Sequence, residues 1–193
     1  MTQDRKFNPA HIAKLEDPER LKTLDPEIIW RELGAEHPAG VADIGAGTGV
    51  FAARFARHLA PGGRLWACDV EAAMVDWMRE HLPATLRDTV VPLVVEESRV
   101  GLPDASLDLV YMITVYHELE RPAESLRELA RMLRPGGILG IVDWRKEPMP
   151  MGPPLAHRVA AEDIRGEVER AGFTGIRISE ALVRHSIVVG RKP

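Results

Sequence analysis

Cysteine is almost absent from this sequence, since Cys68 is the only one among 193 residues. A single cysteine excludes an internal disulfide and is typical of proteins kept in a reducing compartment. A run of about 20 apolar residues is also missing, so no transmembrane helix is expected. The polar stretch from Met1 to Pro9 has no signal-peptide core. We therefore expect a cytoplasmic protein without a membrane partner.

Positive charge is in deficit as well, with a formal net charge of −4. Proteins that bind a nucleic-acid backbone usually carry a basic stripe, so a nucleic-acid partner is not expected. No group of His, Cys, Asp or Glu has the spacing of a metal site, and we expect no metal. Cys68 lies inside a predicted strand, which favours a small core residue over a nucleophile. The sequence gives no indication of the oligomeric state.

Short β-branched runs alternate with amphipathic helical stretches from Gly40 to Trp144. The predicted strands are Val41–Ile44, Arg64–Cys68, Val90–Val95, Asp108–Thr114 and Ile138–Val142. The predicted helices are Thr48–Leu59, Glu71–Leu82, Ala123–Leu133 and, later in the chain, Glu162–Ala171. Such alternation predicts a parallel sheet covered by helices on both faces.

The two ends of the chain depart from this rhythm. Two apolar runs, Ile176–Val183 and Ser186–Val189, are joined by only Arg184-His185, which predicts an antiparallel hairpin. The fold class is therefore α/β: a Rossmann-like, doubly wound, seven-stranded sheet, mostly parallel with an antiparallel last strand. Asp17-Pro18 and Asp25-Pro26 each predict the start of a short helix outside the sheet. We expect a single domain over 1–193, with an N-terminal helical cap over 1–37 and a core over 40–193.

A glycine-rich segment, Asp43-Ile44-Gly45-Ala46-Gly47-Thr48-Gly49, lies where the first strand meets the first helix. Glycines there allow a sharp turn and a close approach of a ligand to the main chain, although a tight turn without a ligand is the plain alternative. A dinucleotide fingerprint would read G-x-G-x-x-G/A, but the third glycine comes one residue early and Val50 occupies the expected position. The segment therefore favours a ligand without a pyrophosphate.

Asp69 closes the second strand, roughly 20 residues after the glycines, where a carboxylate can accept hydrogen bonds from both hydroxyls of a ribose. The alternative is that Asp69 caps the helix that follows. The two roles are compatible with each other.

Several motifs together resemble class I methyltransferases that depend on S-adenosylmethionine (SAM), of the small single-domain type. The resemblance begins with Val41–Gly49 and continues at Asp69–Met74, at Leu102–Val110, which is similar to "P-D-x-S-F-D-x-V", and at Leu133–Gly137, which is similar to "L-K-P-G-G". With the terminal hairpin, it covers about Val41 to Val189 in order. It implies SAM as cofactor, S-adenosylhomocysteine (SAH) as product and a small-molecule methyl acceptor.

The resemblance also implies roles for individual residues. The methionine end of the cofactor would be held by Asp43 and by the backbone at Gly45, Ala46 and Gly47, and the ribose by Asp69. The adenine would pack on Val70 and Met74, and Thr114 would line the floor below the sulfonium. Glu96 and Glu97 stand next to the adenine amino group, where many members have "D-A"; this is a departure, because Glu is longer than Asp. Each of these residues has a plain alternative as core or as a solvated strand end.

Polar residues follow the fourth and fifth predicted strands and are candidates for catalysis. His117 has a side chain suited to proton transfer near neutral pH, and Asp143 is placed to orient it. A structural role for His117 at the start of a turn is the alternative, and a lone histidine is more often structural than catalytic. His11, Tyr116, Trp144 and Arg145 are candidates for an acceptor pocket, and the front helices for a lid. The loop 147–154 follows the fifth strand at its carboxyl end, where such sheets bind ligands.

Three functions remain open from the sequence. The first is a SAM-dependent methyltransferase acting on a small, unidentified acceptor. The second is an NAD-binding oxidoreductase, which the glycine spacing and the terminal hairpin disfavour. The third is a non-catalytic SAM-binding module, because methyl transfer does not always require a base.

Overall fold

The computed structural model describes residues 12–193. The helices are α1 (Ile12–Leu15), α2 (Pro18–Thr23), α3 (Pro26–Leu33), α4 (Val50–Phe55), α5 (Ala72–His81), α6 (Pro122–Met132) and α7 (Ala161–Arg170). The strands are β1 (Gly40–Ile44), β2 (Arg64–Asp69), β3 (Val90–Val94), β4 (Leu107–Ile113), β5 (Leu133–Trp144), β6 (Thr174–Ser179) and β7 (His185–Arg191). Within 12–193, no helix combines the length and the apolar character needed to cross a membrane.

All seven strands form one sheet in the order β3-β2-β1-β4-β5-β7-β6. The pairs from β3 to β5 are parallel, whereas β7 runs antiparallel to both β5 and β6. The order reverses between β1 and β4, so the carboxyl ends of these two strands border a crevice where ligands bind in doubly wound sheets. The predicted fold class is confirmed.

The core forms two apolar clusters, one on each face of the sheet. Helices α3, α4 and α5 supply the first through residues such as Ile29, Phe55 and Met78. Helices α6 and α7 supply the second through residues such as Leu129 and Val168. This arrangement explains why β4 is apolar on both sides, as the sequence indicated.

The front helices begin as the two Asp-Pro pairs predict. The carboxylate of Asp17 accepts a hydrogen bond from Glu19 N, and that of Asp25 accepts bonds from Glu27 N and Ile28 N. Helix α3 nevertheless lies directly on the sheet: a Cβ at Gly140 of β5 would come within 2.0 Å of the Leu33 Cδ2 atom. It thus forms part of the helical layer on one face of the sheet, a position that the sequence did not indicate.

Two predicted boundaries were wrong. Strand β5 begins at Leu133 and includes Pro135-Gly136-Gly137, because Leu133 pairs with Leu107 and the main chain of Gly136 and Gly137 bonds to Lys192. The terminal hairpin is antiparallel as predicted, but β6 ends at Ser179 and the link runs over 180–184. Leu182, which the apolar pattern assigned to the strand, is a buried loop residue instead.

Candidate functional site

One large cavity, of about 950 Å³, opens at the carboxyl ends of β1, β2, β4 and β5. It lies near the top of the range of small-molecule pockets, roughly 300–1,000 Å³. Ten predicted cofactor residues line it: Asp43, Gly45, Ala46, Gly47, Asp69, Val70, Met74, Glu96, Glu97 and Thr114. His117 and Trp144 line it as well, together with residues of α2 and of the loop 147–154.

The turn after β1 has the tight geometry that its glycines permit. Gly45 and Gly47 have φ of 71° and 56°, in the left-handed region that side chains disfavour. The amides of Gly45 and Ala46 both donate to Cys68 O, at 2.8 and 2.9 Å, which ties the turn to the end of β2. A Cβ at Gly45 would come within 2.5 Å of Val115 Cγ2, so this position accepts no side chain. The main chain therefore forms the cavity wall here.

Asp69 connects this turn to the helix that follows β2. Its Oδ2 accepts a bond from Gly47 N at 2.8 Å, and its Oδ1 accepts one from Glu71 N at 2.9 Å. Burial raises the pKa of this carboxyl, and the two backbone donors oppose the rise. Each carboxylate oxygen has two acceptor sites, so Asp69 retains capacity for two further donors from a ligand.

Asp43 is fully buried at the end of β1 and lacks a complete set of partners. Its Oδ2 has no hydrogen-bond partner, and neither has the buried hydroxyl of Tyr111 beside it on β4. Burial raises the pKa of Asp43 to about 7; the nearby Tyr111 hydroxyl lowers it, although without hydrogen-bond geometry. An unpaired buried carboxylate is costly, and a cationic ligand would relieve that cost.

The β2–β3 side of the cavity presents apolar surface next to two glutamates. Met74 is buried, whereas Val70 is 39% exposed. The Glu97 Oε1 atom accepts bonds from the amides of Glu120 and Arg121, so this side chain holds the start of α6. Glu96 forms a backbone bridge with Arg99.

Thr114 lies at the carboxyl end of β4 with φ of 59°, a strained conformation for a β-branched residue. Its amide donates to Val142 O at 2.7 Å, which holds the residue in place. Its hydroxyl accepts a bond of 3.2 Å from Arg20 of α2. The Arg20 guanidinium also lies over the Phe51 ring, 5.3 Å from its centroid. Burial lowers the pKa of Arg20, and the negative charges of Asp43 and Glu16 oppose that decrease.

His117 and Asp143 form a buried pair at the ends of β4 and β5. His117 Nδ1 lies 2.8 Å from Asp143 Oδ1, and the backbone amide of His117 donates to Asp143 Oδ2 at 2.9 Å. Burial lowers the pKa of His117, but the bond to Asp143 and its charge outweigh that effect, so the pKa is raised. With Nδ1 occupied, Nε2 is the nitrogen left for a ligand; it lies 3.7 Å from Glu118 Oε1.

Trp144 and His185 meet where β5 and β7 pair, with ring centroids 4.2 Å apart. Both line the cavity. His185 is fully buried, and neither of its ring nitrogens has a hydrogen-bond partner. Burial lowers the pKa of His185 to about 4, so its ring is neutral at physiological pH.

Arg158 holds the backbone of the loop 147–154 in place. It is 4% exposed, and its guanidinium donates to four backbone carbonyls, those of Arg145, Glu147, Met151 and Pro153. It also lies 5.7 Å from the Trp144 ring centroid. This single side chain therefore sets the backbone path of the loop on the cavity's outer side.

Two of the predicted acceptor-pocket residues, Tyr116 and Arg145, do not line the cavity. The hydroxyl of Tyr116 donates to Glu167 of α7, and the Arg145 guanidinium donates to the carbonyls of Glu180 and Leu182 in the β6–β7 link. His11 lies outside the described residues. No group of three His, Cys, Asp or Glu side chains within 12–193 is arranged to hold a metal ion.

Sequence reasoning missed Arg20, His185 and Arg158. The first lies in a predicted helix that the sequence could not place against β4, and the second was assigned to a turn. The third follows the proline-rich loop, but no spacing rule connects an arginine with carbonyls that precede it. The three become visible only through contacts between elements far apart in the chain.

Comparisons with known proteins agree with this geometry. A family model described as a methyltransferase domain matches residues 42–141. The ubiquinone/menaquinone biosynthesis C-methyltransferase UbiE of Hahella chejuensis is 26% identical over 156 residues, which are 74% of this chain and 63% of that protein. The chain thus spans less than two-thirds of the length of that relative.

Solved structures extend the similarity to the whole chain. A SAM-dependent methyltransferase from Aquifex aeolicus is 32% identical, with a TM-score of 0.91, over 97% of this chain and 100% of that one. A phosphoethanolamine N-methyltransferase from Haemonchus contortus, solved with SAM, shares the fold at 15% identity and a TM-score of 0.73, over 88% of this chain and 52% of that one. The chain therefore belongs to the class I SAM-dependent methyltransferases.

Proposed function

We propose that this methyltransferase acts on a small molecule bound beside Trp144 and uses His117 with Asp143 to take up a proton from it. The observation that supports this most directly is the buried His117–Asp143 pair, with an Nδ1–Oδ1 distance of 2.8 Å at a cavity wall. A histidine held in this way presents one defined nitrogen to a ligand. The relative from Hahella chejuensis is named as a C-methyltransferase, but carbon, oxygen and nitrogen acceptors are all compatible with our proposal.

The residues around the β1 turn fit the cofactor. The Asp43 carboxylate, whose Oδ2 has no hydrogen-bond partner, suits the ammonium of the methionine tail, and the Arg20 guanidinium, which bonds to Thr114, suits its carboxylate. Asp69 has acceptor capacity left for the ribose hydroxyls. The exposed apolar surface of Val70, next to Met74, would pack on the adenine.

The cofactor supplies most of the chemistry: the sulfonium of SAM would provide an activated methyl group to a nucleophile in line with the methyl–sulfur bond. The chain's own residues align the acceptor, exclude water and remove a proton where the acceptor has one. Proximity and orientation supply about 7–11 kcal/mol of the barrier in favourable cases. In our proposal His117 Nε2 takes the proton, and Asp143 stabilises the imidazolium through Nδ1–H.

Calorimetry and a methyl-transfer screen test this proposal. We expect micromolar binding of SAM and SAH and no binding of NAD. Binding of NAD without binding of SAM or SAH would contradict the proposal. In a screen of thiols, amines, phenols and small acids with labelled SAM, we expect His117→Ala to lower the turnover of an oxygen or nitrogen acceptor by about 10²–10⁴-fold. Its SAH affinity should stay within threefold of wild type. Equal turnover of both proteins would remove the base from the proposal.

A matched pair of ligands tests the binding role of Arg20 separately from its role in the fold. SAH carries the amino-acid tail, whereas 5′-methylthioadenosine lacks it. We expect Arg20→Met to weaken SAH binding at least tenfold and to leave methylthioadenosine binding unchanged, because only the first ligand loses an ion pair. Equal losses for both ligands would mean that Arg20 supports the structure instead.

A further inference from the structure

A tyrosine lies next to the carboxylate that we assign to the methionine tail. Tyr111 of β4 is the register partner of Asp43 at the end of β1, and paired residues on adjacent strands project from the same face of a sheet. Asp43 lines the cavity, whereas Tyr111 does not and is fully buried. The phenol can therefore act on a ligand only through a neighbour such as Asp43.

Both side chains carry a polar atom without a partner. The Tyr111 hydroxyl and the Asp43 Oδ2 atom are each buried, and neither makes a hydrogen bond. Buried polar groups in folded proteins are nearly always paired, because an unpaired one keeps its full desolvation cost. One bond from the hydroxyl to the carboxylate would satisfy both atoms.

The surroundings of the Tyr111 ring hold it in place. The Phe55 ring packs edge-on against it, with centroids 5.2 Å apart and an interplanar angle of 74°. On the other side, β5 has Gly140 at the paired position, and Leu33 fills the space there, since a Cβ at Gly140 would come within 2.0 Å of Leu33 Cδ2. Apolar groups thus hold the ring on two sides and keep its hydroxyl in the core.

Charge decides which of the two groups is the donor. Burial and the neighbouring charge of Asp43 raise the pKa of the Tyr111 hydroxyl well above its ordinary value, so the hydroxyl keeps its proton. The same hydroxyl lowers the pKa of Asp43 against the larger effect of burial; Asp69 raises that pKa and Arg20 lowers it, both by less. An ionised carboxylate is a stronger acceptor than a protonated carboxyl. A cation that ionises Asp43 would therefore increase its attraction for the Tyr111 O–H group.

We propose that Tyr111 is a positioning residue for the amino-acid end of SAM, and that its hydroxyl donates to Asp43 once this carboxylate pairs with the ammonium of the cofactor. The inference rests on the proposed function, because it requires the contact between Asp43 and the methionine tail. The ammonium then binds the carboxylate from the cavity, and the phenol binds it from the core. Ligands with an amino-acid tail gain affinity from Tyr111, and ligands without one do not.

Calorimetry with SAH and 5′-methylthioadenosine, which differ by that tail, tests this role. We expect Tyr111→Phe, which keeps the ring, to weaken SAH binding by about 10–100-fold, the usual effect of losing a hydrogen bond to a charged group. Binding of methylthioadenosine should stay within twofold of wild type. In an Asp43→Asn background, Tyr111→Phe should change the SAH affinity by less than threefold, because the charged acceptor is already gone.

The other tyrosine of the chain provides a matched control. Tyr116 is also buried, but its hydroxyl donates to Glu167 of α7, and the residue does not line the cavity. Tyr116→Phe should therefore leave the ratio of the SAH and methylthioadenosine affinities within twofold of wild type. Urea unfolding should show Tyr111→Phe to be at least as stable as wild type, because the substitution removes a buried hydroxyl that lacks a partner.

Several results would overturn the proposal. These are an unchanged SAH affinity in Tyr111→Phe, equal losses for the two ligands, a tenfold loss that persists in the Asp43→Asn background, or the same change of ratio in Tyr116→Phe. A wild type that does not bind SAH, or an Asp43→Asn variant that binds SAH as tightly as wild type, would instead refute the proposed contact of Asp43 with the cofactor, and this inference with it.

Discussion

Replacing Asp43 by Asn separates the stability of the fold from the binding of the cofactor. The pKa of Asp43 is raised from 3.8 to about 7, mainly by burial. In the unfolded chain this carboxyl ionises above pH 4, whereas in the folded protein it resists ionisation until about pH 7. The contribution of protonated Asp43 to the free energy of unfolding is therefore fully present below about pH 4 and is lost as the pH rises to about 7.

The size of the effect follows from the two pKa values. Each tenfold difference in proton affinity is worth about 1.4 kcal/mol, so the ionised carboxylate costs the ligand-free protein at most about 4 kcal/mol above pH 7. Asparagine has nearly the same shape and no charge. We expect Asp43→Asn to be more stable than wild type, by a margin that grows by about 2–3 kcal/mol from pH 5 to pH 8 and then stays constant.

Urea unfolding followed by tryptophan fluorescence measures this margin. The exposed Asp76→Asn serves as the control, and its margin should not vary with pH beyond a few tenths of a kcal/mol. With saturating SAM, the order should reverse, because only the wild type can pair its carboxylate with the ligand's cationic tail. The reasoning is refuted if the margin of Asp43→Asn is independent of pH, or if the variant binds SAM as tightly as the wild type.

Three further predictions follow from other contacts. Asp69→Ala should weaken SAM binding at least tenfold in calorimetry, because two ribose hydroxyls and Gly47 N lose their acceptor; unchanged affinity would remove the ribose assignment. Arg158→Lys should speed amide hydrogen exchange in 147–153 at least tenfold while SAH affinity stays within threefold, since an ammonium cannot reach four carbonyls; equal exchange would show that the loop needs no such support. For an oxygen or nitrogen acceptor, kcat/KM should rise with pH through a His117 pKa above its ordinary value, and Asp143→Asn should move this rise to lower pH; an unmoved profile would assign the titration to another group.

The sequence predicted the sheet well because its signals are local. The alternation of apolar runs, the glycines after Ile44 and the Asp-Pro helix starts each depend on neighbours in the chain. The same is true of the residues expected to hold the cofactor, which lie at or just after the ends of β1, β2, β3 and β4, and all ten line one cavity. Their individual contacts with the cofactor stay predictions.

The acceptor side was much less predictable, because it is formed by long-range contacts. Tyr116 and Arg145 were chosen for their position after β4 and β5, but their polar groups bond to α7 and to the β6–β7 link. His185 was read as part of a two-residue turn, whereas the longer link places it in β7 beside Trp144. No local pattern distinguishes a side chain that faces the cavity from its neighbour that faces away.

The way in which Arg158 holds the loop leaves the loop's own side chains free to vary. Every acceptor of the guanidinium is a main-chain oxygen, which any residue type supplies. Exchanging Met151, which lines the cavity, would therefore alter the chemical character of this part of its wall without moving the backbone. A scaffold of this kind permits a change of substrate by point substitution, and it suggests that libraries for redesign vary position 151 with Arg158 kept constant.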